Sequence, residues 1–287
     1  MIPFVKGHGL GNDYIVINGD DLPSPLTVKQ TVRICDRNWG AGSDGILLKV
    51  PAWAGGDFGL RILNPDGSEA EKSGNGLRIF AKYLWDHGHV KEPVFTVDTK
   101  GGRVQCHCHV VKGQMNLVTV EMGKCTFLAP EIPMNGPARE VVGVPLQVGA
   151  ETLQITAVSV GNPHCVVFVD KLDEVRCRTL GPESERHPAF PNRTNVQFAR
   201  VAGRSLVDIL IWERGAGYTL ASGSSSSAVA CAAVKNGLCD QGLITVRMPG
   251  GTLEIDVRPD WSILLKGPVE EVYTGTFSHD LMEALKS

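Results

Sequence analysis

The segment GNDYIVI at residues 11–17 recurs in outline as GNPHCVV at residues 161–167, an offset of 150 residues. Two further pairs of segments repeat in the same order at nearly the same offset: SDGIL at 43–47 with RTNVQ at 193–197, and KSGNG at 72–76 with ASGSS at 221–225. Weak similarity that keeps its order over a fixed offset indicates an internal duplication. The sequence therefore predicts two related halves.

Each half combines a helix with several strands. The helical runs follow the small-residue turns, at 77–85 and 228–235, and they are apolar enough to be buried. Alternating β-rich runs surround them, at 94–97, 114–121, 206–212 and 243–257. This pattern predicts an α+β fold of two pseudo-symmetric domains, each a barrel-like sheet wrapped around a central helix.

The domain boundary is expected near mid-chain. The Pro- and Gly-containing stretch at 128–136 is the best linker candidate, so the predicted domains span 1–128 and 129–271. The pattern leaves open whether the tail, about 272–287, packs back onto the first domain. Because small ligands prefer domain interfaces, the active site is expected in a cleft between the halves.

Composition favours a small-molecule partner. A net charge of -3 and a pI near 6.2 give no basic surface for nucleic acid or for an anionic membrane. The apolar stretches are shorter than the roughly 20 residues of a membrane span, and the N-terminal segment lacks the apolar core of a signal peptide. We therefore expect a cytoplasmic protein.

The eight cysteines have no CxxC spacing and are expected to be reduced thiols. The run CHCH at 106–109 suggests a metal site, but it lies in an alternating segment whose successive side chains point to opposite faces. At most one Cys pair or one His pair could share an ion, so an ordinary strand without metal is the preferred interpretation.

Two repeated motifs place a small polar residue before a helix, SGNG at 73–76 and SGSS at 222–225. Unsatisfied N–H groups and the helix dipole favour an anion there, and glycine permits its close approach. The alternative is that both serines are only N-caps. Repetition in equivalent halves favours two anion sites, which together could hold one α-carboxylate as its α-proton leaves. A nucleotide-phosphate loop is disfavoured because the sequence has neither a Walker pattern nor a dinucleotide-binding GxGxxG that follows a strand.

Five ordered motifs resemble those of the diaminopimelate epimerase family, and they span nearly the whole chain: HGLGNDY at 8–14, NPDGSEAE at 64–71, GNPHCV at 161–166, TNV at 194–196 and ERG at 213–215. The resemblance implies an isomerase that inverts the α-carbon of an amino acid by two-base proton transfer. It implies LL- to meso-diaminopimelate conversion in lysine and peptidoglycan biosynthesis, without pyridoxal phosphate or metal. The substrate is then a dicarboxylic amino acid, and a homodimer is an open alternative to a monomer.

The resemblance also implies individual roles. The family's two catalytic cysteines fall at Ser73 and Ser222, with His164 assisting the first position and Glu213 the second. The implied substrate-binding residues are Asn12, Asn64, Gly74, Asn75, Asn162, Asn195, Arg214, Gly223 and Ser224. The Arg214 guanidinium suits a second carboxylate. Three structural alternatives stay open: an ion pair of Arg214 with Glu213, a merely buried His164, and a turn-forming Asn64.

Serine at both acid-base positions changes the expected chemistry. A thiol has a pKa near ~8.5 and a hydroxyl lies nearer to water's ~15.7, a handicap of up to ~10 kcal/mol for serine as a base. Three interpretations follow. The serines are engineered replacements in a diaminopimelate epimerase; or the chain is a divergent racemase or hydroxy-amino-acid dehydratase in which His164 and Glu213 move protons; or the cleft only binds an amino acid.

Overall fold

The computed structural model describes residues 1–286 and divides into two compact units. The first unit comprises Met1–Val120 and the chain from Gly267 onward, and the second comprises Glu121–Lys266. Along the chain up to the second unit, the elements are β1 (Pro3–Gly9), β2 (Asn12–Asn18), α1 (Val28–Cys35), β3 (Ile46–Val50), β4 (Phe58–Leu63), β5 (Glu69–Ala70), α2 (Gly74–Asp86), β6 (Val94–Thr99), β7 (Gly102–Val111) and β8 (Gln114–Lys124).

The remaining elements continue the same alternation of strands and helices. They are β9 (Val144–Val148), β10 (Glu151–Ser159), β11 (Pro163–Phe168), α3 (Glu174–Glu185), β12 (Asn195–Gly203), β13 (Leu206–Glu213), β14 (Gly217–Thr219), α4 (Gly223–Lys235), β15 (Gly242–Met248), β16 (Gly251–Val257), β17 (Ser262–Pro268), β18 (Glu270–Thr276) and α5 (His279–Ala284). Within residues 1–286, no helix is long and apolar enough to cross a lipid bilayer.

The two units share one strand-pairing scheme. In the first unit β2 pairs in parallel with β3, and β4 in parallel with β6; in the second, β11 pairs in parallel with β12, and β13 with β15. Antiparallel pairs join the other neighbours in both units. The register is also preserved, because Ile15 faces Ile46 where Cys165 faces Val196, again at an offset of 150. The predicted α+β duplication is confirmed.

The C-terminal chain completes the first unit. In the second unit β9 precedes β10 and pairs with it, with Val144 opposite Ile155. The first unit has no preceding strand, and β18 takes the equivalent place, with Thr274 opposite Val5. Beyond β18, Phe277 stacks on Phe4 with ring centroids 5.0 Å apart. The edge of β1 is thereby hydrogen-bonded rather than exposed.

Each unit has a helix at its centre. In α2 the buried residues include Leu77, Phe80 and Leu84, and α2 contacts β1, β2, β7 and β18. In α4 every residue from Ser225 to Ala233 is buried, and the helix contacts strands β10 to β13, β15 and β16. Strands that cover a helix on most of its sides hold it in place by burying its residues. Both helices therefore have fixed starting points on which a site can be built.

Three details differ from the sequence expectations. The segment 128–136 is not a linker, because Ala129, Ile132 and Met134 are buried in the core of the second unit. The run 243–257 is two strands, β15 and β16, joined by a turn. The units divide at 120/121, within β8, whereas the expectation was 128/129. Both divisions between the units, at 120/121 and at 266/267, fall inside a strand rather than in a turn, and a turn is what Pro and Gly signals indicate.

Candidate active site

The first helix start is capped by Ser73. Its Oγ accepts a hydrogen bond from the Gly76 N–H at 3.0 Å, and its carbonyl oxygen accepts one from Leu77 N–H at 2.9 Å. Gly74 and Asn75 are the first two residues of α2, so their N–H groups have no acceptor within the helix. These two amides and the positive end of the helix dipole form a place for an anion beside the serine hydroxyl.

Two asparagines and a tyrosine surround this helix start. Asn75 Nδ2 donates to Asn12 Oδ1 at 3.0 Å, and Asn12 Nδ2 donates to Asp44 Oδ2 at 2.9 Å. The phenol oxygen of Tyr14 lies 3.5 Å from Ser73 Oγ, the upper limit of a hydrogen bond. Three parts of the chain thus meet at Ser73: β2, the segment before β3, and α2.

The second helix start repeats this arrangement at Ser222. Its Oγ lies 3.4 Å from the Ser225 N–H, which it caps, and 3.4 Å from Ser224 Oγ. The Ser226 N–H donates to the Ser222 carbonyl at 3.1 Å, so the N–H groups of Gly223 and Ser224 are left without acceptors in the helix. Ser222 is only 5% exposed. Both serines are therefore N-caps, and in both units the two amides beside the cap have no acceptor within the helix.

His164 lies in the second unit with both ring nitrogens hydrogen-bonded. Nδ1 is 3.1 Å from Gln197 Nε2, and Nε2 is 2.9 Å from Asn162 Oδ1. The Gln197 amide also donates to Ser225 Oγ at 3.0 Å, which links His164 to the first turn of α4. His164 is 0% exposed, and burial lowers the pKa of its imidazole to about 3, with a further lowering by the positive charge of Arg214.

His164 is therefore neutral at physiological pH. Because the Gln197 N–H donates to Nδ1, the imidazole proton sits on Nε2 and is donated to Asn162. The side chain positions Asn162 and connects it to α4. Neither nitrogen is exposed to solvent or open to a ligand in this arrangement.

β13 ends at Glu213, and Arg214 begins the loop that follows it. Asn195 fixes the start of this loop. Its Oδ1 accepts a hydrogen bond from the Arg214 N–H at 3.0 Å, and its Nδ2 donates to the Pro163 carbonyl at 2.9 Å. The Arg214 side chain is exposed and donates to the Asn192 carbonyl at 3.1 Å. Within the described chain it makes no ion pair with a carboxylate, so its charge is available to an acidic ligand.

Comparison with known proteins identifies the family. The family model described as diaminopimelate epimerase matches residues 4–128 and 156–272. A relative from Nostoc sp. named diaminopimelate epimerase 2 is 50% identical over 278 residues, which cover 97% of this chain and 96% of the relative. The diaminopimelate epimerase of Pelotomaculum thermopropionicum is 42% identical over 283 residues, covering 96% and 99%. The chain belongs to the diaminopimelate epimerase family.

Solved structures of more distant proteins have the same fold. A probable proline racemase from Agrobacterium radiobacter superposes with a TM-score of 0.73 at 17% identity, over 98% of this chain and 94% of that one. A hydroxyproline epimerase from Agrobacterium vitis gives 0.72 at 17% identity, over 96% and 90%. At this identity the likeness concerns the fold alone.

The structure brings some of the residues that the family resemblance implies into direct contact. Asn12 and Asn75 bond to each other beside Ser73, and Asn162 bonds to His164. Asn64 instead closes the turn between β4 and β5, where its Nδ2 donates to Ser68 Oγ at 2.9 Å. The turn-forming interpretation of Asn64 accounts for this contact.

Glu213 is the last residue of β13 and pairs with Gly217 across the β13–β14 hairpin. Through this hairpin the chain leads from the Glu213 loop to the Ser222 helix start within the same unit. No group of three His, Cys, Asp or Glu side chains that could hold a metal ion occurs among residues 1–286. In the CHCH run, Cys106 and Cys108 are buried in the first unit, and the His107 and His109 rings lie 4.4 Å apart.

Sequence reasoning missed several residues that shape the site. Glu185, 3% exposed, accepts hydrogen bonds from Trp212 Nε1 at 2.8 Å and from the Gly215 N–H at 3.1 Å, and so fixes the Glu213 loop. Arg78 and Gln197 bond directly to predicted site residues. Arg78 could have been noticed, because residues three and four apart meet on a helix and it follows Asn75 by three. Glu185 and Gln197 carry no such local signal.

Proposed function

We propose that this member of the family epimerises the α-carbon of a dicarboxylic amino acid, with diaminopimelate as the substrate. In this reaction the α C–H bond breaks as one acid-base group takes the proton, and a second group delivers a proton to the opposite face. No electron is gained or lost, so the reaction needs no redox partner. The observation that carries the proposal is the pair of serine-capped helix starts, each with two unbonded backbone amides.

The charges of the described residues fit a diacid. At each helix start the unbonded amides suit an α-carboxylate, whose negative charge grows as the α-proton leaves. Arg214 supplies an exposed guanidinium in the second unit, and its fork matches a second carboxylate. An amino acid without the second carboxylate would leave this cation without a partner.

Serine as the acid-base residue makes the proposed reaction slow. The hydroxyl of Ser73 accepts from the Gly76 N–H, a bond that favours the alkoxide form, and the Tyr14 phenol lies nearby. These contacts favour deprotonation of the hydroxyl, and so they partly offset its much higher pKa relative to a thiol. The divergent alternative, in which His164 itself moves protons, is disfavoured because both of its nitrogens are bonded and buried.

The reaction is tested by solvent exchange. LL-diaminopimelate is incubated with the protein in deuterium oxide, and loss of the α-proton signal is followed by NMR. We expect slow exchange in the chain as it stands and much faster exchange in the double variant Ser73→Cys, Ser222→Cys, because only the acid-base atoms differ. Ser24→Cys, which adds a thiol at an exposed position before α1, is the matched control and should leave the rate unchanged.

Three results would contradict the proposal. Absence of exchange in the double-cysteine variant, with the fold intact by circular dichroism, would show that the framework does not support epimerisation. Thermal stabilisation by diaminopimelate without exchange in either protein would indicate an amino-acid-binding protein. Formation of keto acid from a hydroxy amino acid would instead indicate the dehydratase.

A further inference from the structure

Arg78 is a buried cation without a carboxylate partner. Its side chain is 0% exposed, and burial lowers the pKa of its guanidinium to about 9. Three neutral oxygens accept its hydrogen bonds: the Gly74 carbonyl at 3.0 Å, Asn75 Oδ1 at 2.9 Å and the Pro268 carbonyl at 3.2 Å. No ion pair involves Arg78 in the described chain. A buried charge of this kind is costly, so a specific role for it is worth seeking.

The Arg78 guanidinium begins a chain of hydrogen bonds that ends at a carboxylate. Arg78 Nη2 donates to Asn75 Oδ1, Asn75 Nδ2 donates to Asn12 Oδ1 at 3.0 Å, and Asn12 Nδ2 donates to Asp44 Oδ2 at 2.9 Å. Gly9 leaves space for the Arg78 guanidinium, because a Cβ on residue 9 would lie 2.8 Å from Arg78 Nη2. We call the four side chains Arg78, Asn75, Asn12 and Asp44 the amide relay.

The two ends of the amide relay fix its direction. A guanidinium can only donate hydrogen bonds, and an ionised carboxylate can only accept them. Asn75 must therefore turn its oxygen toward Arg78, and Asn12 must turn its nitrogen toward Asp44. Reversing either amide would place two donors or two acceptors against each other.

A fixed direction decides what the relay offers a ligand. The side-chain oxygens of Asn12 and Asn75 each accept a hydrogen bond within the relay. Each side-chain nitrogen donates one of its two N–H groups within the relay. The second N–H of Asn12 and that of Asn75 have no partner in residues 1–286. Next to them lie the Gly74 and Asn75 backbone N–H groups. All of these groups are hydrogen-bond donors, and the positively charged Arg78 contacts Gly74 and Asn75.

We propose that Arg78 and Asp44 are positioning residues that lock Asn12 and Asn75 as hydrogen-bond donors, so that the Ser73 helix start accepts a carboxylate and rejects its uncharged amide. This inference rests on the proposed function for the identity of the ligand. If Arg78 had only a structural role, it would tie α2 to Pro268 on the returning C-terminal chain. It would then have no effect on the preference for a carboxylate over an amide.

The first arm of the test measures selectivity by calorimetry. LL-diaminopimelate and its diamide are titrated into the protein and into the variants Arg78→Met, Arg78→Lys and Asp44→Ala. Arg61→Met is the matched control, since Arg61 on β4 pairs with Glu69 on β5 and lies outside the relay. We expect the diacid to bind at least tenfold more tightly than the diamide, and Arg78→Met to reduce that ratio severalfold.

The remaining variants separate position from charge. Arg78→Lys keeps the cation but not the fork, so part of the selectivity should return. Asp44→Ala perturbs the relay from its exposed end and stays informative if Arg78→Met does not fold. Unchanged selectivity in Arg78→Met and in Asp44→Ala would overturn the inference while leaving the proposed function intact.

The second arm needs no ligand. In protein labelled with 15N-asparagine, the side-chain amide resonances of Asn12 and Asn75 should shift together in Arg78→Met and in Asp44→Ala, and stay in place in Arg61→Met. If neither diacid nor diamide binds, the proposed function fails and this arm decides the relay alone. Resonances that do not move in either relay variant would overturn it.

Discussion

Lowering the pH should destabilise the protein through His164. The folded-state pKa of this imidazole is lowered to about 3, whereas an unfolded histidine has a pKa of about 6.5. Between these values the unfolded chain binds a proton that the folded chain does not. Stability is therefore highest above pH 6.5 and falls with decreasing pH, by at most about 1.4 kcal/mol per pH unit.

From pH 7 to pH 4.5 the loss from this one residue amounts to about 2.5 kcal/mol. In that window most carboxylates are still ionised, so the histidine contribution is separable. Urea unfolding of the protein and of His164→Gln, at half-unit steps of pH, measures the difference in slope. NMR of the imidazole C–H signals reports the protonation of His164 directly and does not depend on the variant's stability.

We expect the His164 signal to shift only below about pH 4, and we expect the variant to lose stability less steeply than the parent as the pH falls. A His164 midpoint between pH 6 and 7 would refute it. Such a value would mean that the ring is open to protons, and it would return His164 to the candidates for direct proton transfer.

Three further predictions concern the second unit. Glu185→Gln should lower the free energy of unfolding by about 1–3 kcal/mol, because the new amide group then faces a donor from Trp212 or Gly215. Urea unfolding measures this change. An unchanged midpoint would contradict the role of Glu185 as the acceptor of both bonds. Arg214→Lys should weaken diaminopimelate binding about tenfold, because the fork is lost while the charge stays; equal affinity by calorimetry would exclude a bidentate role. Asp208 has its pKa lowered by hydrogen bonds from Arg247 and Arg200, so its stabilisation is present above about pH 4 and is lost as the pH falls through the lowered value. Asp208→Asn should therefore be less stable than the parent at pH 7 and approach it in acid unfolding.

Local signals in the sequence were enough for the elements that begin the site. Ser73 and Ser222 are recognisable as N-caps because a capping side chain acts on an amide three residues away, and the structure contains both bonds. The duplication was visible for a related reason. Each half needs its own alternating strands and its own buried helix, and these patterns survive when side chains diverge.

Contacts between distant parts of the chain could not be predicted in this way. Arg78 bonds to the carbonyl of Pro268, and Glu185 bonds to Trp212, although no periodicity connects the members of either pair. The expected linker at 128–136 failed similarly: Pro and Gly indicate a break in regular structure, but the burial of Ile132 depends on the strands around it.

By itself the sequence determined the family, the α+β duplication and the two serine-capped helix starts. Tertiary structure decided the states of the side chains at those starts: a neutral His164, a buried Arg78 and two asparagines turned as donors. The physical reason is that caps and periodicity depend on neighbours along the chain. A pKa, or the direction of an amide, depends on burial and on partners that only the folded chain brings within hydrogen-bond distance.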